Sequence, residues 1–131
     1  MIVPDRHRLK HKRGRNQARS CGAAFQICIE RNFGLSGIAP QAPEYKVITY
    51  QLIKSASSGG ANYEEAQGSV SSADFSNKIG IALKEIREAN YWIRLIIDIS
   101  APNEKWKPLL QESEELKKIL GAIYSKTSKP R

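Results

Sequence analysis

Residues able to carry out nucleophilic, metal or acid–base chemistry are few in this chain, and their spacing argues against most such chemistries. The only histidines are His7 and His11, one turn apart if helical, and the only cysteines are Cys21 and Cys28. Taken together they read His-x₃-His…Cys-x₆-Cys, an order and spacing that matches no structural zinc site, so no metal or cofactor is expected. On one helix the two cysteines would stand about 10 Å apart along the axis, too far for a disulfide. A di-iron bundle needs inward Glu-x-x-His pairs, and no histidine occurs beyond residue 11. Gly59-Gly60 lacks the lysine and the preceding strand of a phosphate loop. Glu65, Glu85 and Glu88 could bring carboxylates together for acid–base work. The plainer expectation is that they pair with Lys54, Lys84 or Arg87, or accept hydrogen bonds from Asn62 and nearby serines. It is preferred because no third catalytic group accompanies them. The expectation is therefore of a protein that is not an enzyme.

Charge points elsewhere. The net charge is +8, which suggests a polyanionic partner such as RNA or DNA. It is unevenly placed. Arg6, Arg8, Lys10, Lys12, Arg13, Arg15 and Arg19 face only Asp5 within residues 1–19, and Lys126, Lys129 and Arg131 close the chain, which leaves 20–125 near neutral at −1. Such an arm and tail would contact phosphates without reading bases. A second candidate surface is the stripe Lys84, Arg87, Tyr91 and Arg94, whose spacings of 3, 4 and 3 put them on one helix face. Cations interleaved with an aromatic ring suit a single strand or a backbone groove. The ordinary alternative is a solvated face neutralised by Glu88.

These residues need elements to position them. The length allows one domain. No apolar run approaches the roughly 20 residues of a membrane span. The short apolar stretch from Ala23 to Ile29 ends in Glu30 and Arg31 rather than a cleavage site, so a reducing cytoplasm is expected. Residues 1–16 read as a basic disordered arm and 34–43 as a Pro/Gly linker. Residues 17–34 could form a helix, weakened by Gly22. From Pro43, Tyr45, Ile48, Leu52 and Ala56 recur at helical spacing. Ser57-Ser58-Gly59-Gly60 locally resembles a loop, but small residues at 55, 56, 59 and 60 recur one turn apart and would let another helix approach closely. Ser72 is a candidate N-cap for 74–96, where Phe75, Ile79, Ala82, Ile86, Ala89, Ile93 and Ile96 make one stripe widened by Leu83, Trp92, Leu95 and Ile99. The last helix is expected to start within 103–120, with Leu109, Ser113, Leu116, Leu120 and Ile123 facing inward. No strand alternation occurs, and the chain is all-α.

Three segments, QLIKSASSGGANYEEAQG (51–68), ADFSNKIGIALKEIREANYWIRLI (73–96) and PLLQESEELKKIL (108–120), resemble the four-helix-bundle proteins encoded in intervening sequences of bacterial 23S ribosomal RNA genes. They also resemble their relatives, the accessory proteins of diversity-generating retroelements. The resemblance runs from Pro43 to about Ser125. It implies an antiparallel up-down-up-down four-helix bundle over 17–125, assembled as a homopentamer, with Ser58, Gly60, Ala61 and Asn62 inside a helix. The retroelement branch implies a reverse transcriptase as a possible protein partner. Residues 1–34 depart from the family's long amphipathic first helix, as an altered start, a frameshift or a diverged helix would each produce, so the first helix is atypical or degraded. Two functions follow as expectations: an oligomeric nucleic-acid binder that works electrostatically, or a scaffold for a protein partner.

Overall fold

The computed structural model describes residues 43–99 and 104–128, which form three helices: α1 Pro43–Gln67, α2 Ser72–Ile99 and α3 Lys107–Thr127. Among the described residues there is no strand, and no helix is long and apolar enough to cross a membrane. The arm 1–16, the segment 17–34 with both cysteines, both histidines, and Lys129 and Arg131 lie outside the described residues.

α1 continues through its glycines. Its polar side chains turn back onto the helix: Ser55 Oγ donates to the Leu52 carbonyl at 3.2 Å, Ser57 Oγ to Ile53 at 2.6 Å, and Asn62 Nδ2 to Ser58 at 2.8 Å. Such local bonds satisfy the side chains without interrupting the backbone ladder. The two glycines differ. Gly59 is buried, and a Cβ there would lie 2.6 Å from Ile86 Cδ1 of α2; one at Gly60 would meet nothing within 4 Å. Of the four small residues, Ser55, Ala56 and Gly59 are buried and Gly59 makes the expected close contact; Gly60 is not part of it.

The turn after α1 is tightened by the Gly68 N–H on the Glu65 carbonyl at 3.0 Å. The residue capping α2 is Ser71, not Ser72. Its Oγ accepts the Asp74 N–H at 3.0 Å, and Asp74 reaches back to the Val70 N–H at 3.4 Å. The cap thus lies one residue before the expected position, and Asp74 accepts from the residue preceding the cap rather than from the cap itself. α3 starts at Lys107 rather than near 103. Pro108 must sit in the first turn, where its missing N–H and its ring do no harm.

α2 is the central element. It packs against both other helices, while no Cα of α1 comes within 8 Å of one in α3. The stripe expected on α2 is buried from Ile79 to Ile96; Phe75 is only partly covered and Ile99 remains half exposed. Ile48 and Leu52 of α1 and Leu109, Leu116 and Leu120 of α3 complete the core with Trp106, which is 1% exposed. Burying each large apolar side chain contributes about 1.5–3 kcal/mol.

Candidate nucleic-acid interface

The face of α2 away from α1 meets α3 along a polar seam that grows from a single buried amide. Asn90 is 1% exposed, and its Nδ2 donates to Ser113 Oγ and to Glu114 Oε1, both at 2.8 Å. Its Oδ1 accepts from Arg94 Nε at 3.0 Å. The side-chain amide therefore uses both ends, as a buried polar group must. Ser113, fully buried, passes its own proton to the Leu110 carbonyl at 2.7 Å. The hydrogen bond from Asn90, followed by those from Lys117, holds the Glu114 carboxyl below its usual range. Glu112 moves the other way, pushed up by burial and then by the charge of Glu115.

Towards the C-terminal end of α3 the same two helices enclose an open groove of about 240 Å³, lined by Asn77, Gly80, Ile81, Leu83, Lys84, Arg87 and Tyr124. Its wall at Gly80 has no side chain, and the Tyr124 ring occupies that space. A Cβ on Gly80 would lie 3.0 Å from Tyr124 Cε2. Lys84 and Arg87 are exposed, no carboxylate lines the groove, and neither cation is in an ion pair among the described residues. The floor is apolar, from Ile81 and Leu83.

The four stripe residues are divided by this arrangement. Lys84 and Arg87 line the groove; Arg94 is tied to Asn90; Tyr91, half exposed, sets its ring edge-on to Trp92 with centroids 5.1 Å apart. The ring beside the two cations is Tyr124, which spacing along one helix could not reveal. Lys126 is exposed in the last turn of α3. Among the described residues Glu88 is in no ion pair with Lys84 or Arg94. Glu65 instead pairs with Lys78 at 2.7 Å, a bond that raises the Lys78 pKa, and Asn62 bonds within its own helix. Glu65, Glu85 and Glu88 form no shared carboxylate site, and no group of three metal-ligating side chains occurs among the described residues.

Fold and groove together define an all-helical protein whose one seam carries a basic, aromatic-edged surface. The model of the 23S rRNA-intervening sequence protein family matches residues 23–122. A solved structure from Bacteroides thetaiotaomicron, described as a protein of unknown function of the S23 ribosomal protein family, is similar at 31% identity and a TM-score of 0.72, covering 86% of this chain and 98% of that one. No curated protein is matched. The chain belongs to the 23S rRNA-intervening sequence protein family. The match begins at Ala23, so residues 23–34, which depart from the family's first helix in pattern, still fall within its model.

Proposed function

We propose that this chain is a non-enzymatic, oligomeric helical-bundle protein that binds RNA or DNA electrostatically. The observation that carries the reading is the pair Lys84 and Arg87, exposed and, among the described residues, without ion pairs in a groove that no carboxylate lines. Unneutralised cations bind phosphate by releasing counterions. The basic arm (Arg6 to Arg19) and tail (Lys126, Lys129, Arg131) add to that charge.

The proposed architecture is an antiparallel four-helix bundle over 17–125. The pairing order supports it: Gly59 meets Ile86 while the later Glu65 meets the earlier Lys78, and Asn90 meets Ser113 while Gly80 meets Tyr124. The separation of α1 from α3 leaves room for a further helix between them. Assembly as a homopentamer, which the family resemblance implies, would multiply a weak patch by avidity.

The test is a titration of labelled RNA and DNA at rising salt, with sedimentation for the assembly state. Affinity should fall steeply with salt, and changing Lys84 and Arg87 to Gln should lower the log–log slope by about two. Absence of binding at low salt would sink the reading.

A second reading, in which the chain is a scaffold for a protein partner such as a retroelement reverse transcriptase, draws on α1. Val47 (56% exposed), Tyr50 (63%) and Ile53 lie on its outer surface, with Lys54 5.9 Å from the Tyr50 ring centre. Co-purification with a reverse transcriptase encoded beside the gene, lost on changing Val47 and Tyr50 to Ser, would support it. Co-purification that survives both changes would remove this face from the account.

A further inference from the structure

The groove between α2 and α3 combines two features that phosphate binding alone does not require: a seated aromatic ring and the glycine that seats it. Glycine inside a helix is the costliest residue after proline, and Gly80 lies well within α2. A side chain at that position would meet the Tyr124 ring, with the nearest carbon 3.0 Å from an added Cβ. The ring lies low against the helix and is still 40% exposed, next to Lys84 and Arg87. A low ring sharing a groove with two cations that are in no ion pair among the described residues fits a flat π-system carried on an anionic chain. An acidic peptide would use the cations and leave the ring idle.

We propose that this groove takes one nucleotide of a single-stranded nucleic acid, with the base against Tyr124 and the flanking phosphates on Lys84 and Arg87. The proposal rests on the electrostatic reading above and deepens it by naming the strand and the contact. Gly80 is a positioning residue that acts through Tyr124. Duplexes, whose bases are already stacked, leave nothing for the ring to take.

The experiment uses the full chain and fluorescence anisotropy at one low salt concentration. Its probes are labelled oligo-dT and oligo-U of about ten nucleotides, within the usual span of single-strand sites, and an abasic strand with the same number of phosphates. Base-bearing strands should bind at least about fivefold more tightly than the abasic strand, the lower end of what one stacked base contributes. Tyr124→Ala should erase that preference while leaving abasic binding in place; Tyr124→Phe should keep it. Gly80→Ala should reduce it by displacing the ring. Changing Lys84 and Arg87 to Gln should weaken every strand alike. A preference shown for either dT or U supports the proposal, and the larger one assigns DNA or RNA.

Equal binding of base-bearing and abasic strands by the unmodified chain overturns the proposal, and salt-sensitive binding then leaves the broader reading intact. Displacement by polyglutamate as readily as by oligo-dT or oligo-U overturns it in favour of an acidic protein partner. No binding to any strand overturns both. Circular dichroism checks the variants. If Tyr124→Ala fails to fold, the unmodified chain and Tyr124→Phe on base-bearing and abasic strands decide the matter.

Discussion

α2 has two seams, and they are held by different physics. Against α1 the contact is one of shape: Gly59 is small enough to bring Ile86 close, and Glu65 pairs with Lys78 at the surface. Against α3 the contact is directional: Asn90 donates to two partners on the other helix and accepts from Arg94 on its own. A shape contact tolerates small sliding and punishes added volume. A directional contact tolerates volume better and punishes the loss of a partner. The groove lined by Lys84 and Arg87 lies on the directional seam.

That contrast can be broken most sharply at Gly59. Gly59→Leu should destabilise the fold by about 3 kcal/mol, the upper range for overpacking, read as a lowered urea midpoint. The neighbouring Gly60→Ala should go the other way. With open space around it and helical geometry already in place, it should gain about 0.5–1 kcal/mol. If both variants shift stability in the same direction, the seam does not run where Gly59 places it. On the other side, Asn90→Ala should cost about 2 kcal/mol, because Ser113 and Arg94 lose their partner in or near the core. Asn90→Gln, with the same amide one carbon further out, should not restore it.

The smallest effect is acid-dependent. The Glu114 carboxyl lies below 4.5 in the folded protein, through its bond from Asn90 and then those from Lys117. Its contribution is therefore present above about pH 4.5 and lost as the pH falls through the folded value. Melting followed from pH 7 to 3 should fall less steeply in acid for Glu114→Gln. Glu112, raised by burial, carries the opposite sign: it favours the folded state more when protonated, so Glu112→Gln should steady the protein at neutral pH.

Much of the fold was legible from periodicity, because apolar positions on α2 and α3 recur every three or four residues without interruption. The family segments placed the glycines of α1 in a helix, where local propensity read Ser57 to Gly60 as a loop. Periodicity could not tell which of the adjacent glycines faced α2, since one residue is a rotation of only about 100°. Two consecutive serines likewise hid the true cap. The site was half legible. Lys84 and Arg87 share a face by spacing alone, but Tyr124 reaches them from another helix, and only tertiary packing makes that neighbour. Tyr91 had the right spacing, yet its ring packs against Trp92 instead. A pointer to Tyr124 did exist: it stands four residues past Leu120, at the margin of the inward stripe of α3.

The buried amide of Asn90 also acts as an index mark for the surface. Its bonds to Ser113 and Glu114 lock α2 and α3 at one longitudinal setting, and Tyr124 lies about three turns further along the same rail. A slip of one turn would carry the tyrosine past the gap at Gly80 and bring it up against a residue that has a side chain, such as Asn77 or Lys84. The groove would close, with its lining residues unchanged. A hydrogen bond that never meets solvent thus calibrates what solvent can reach.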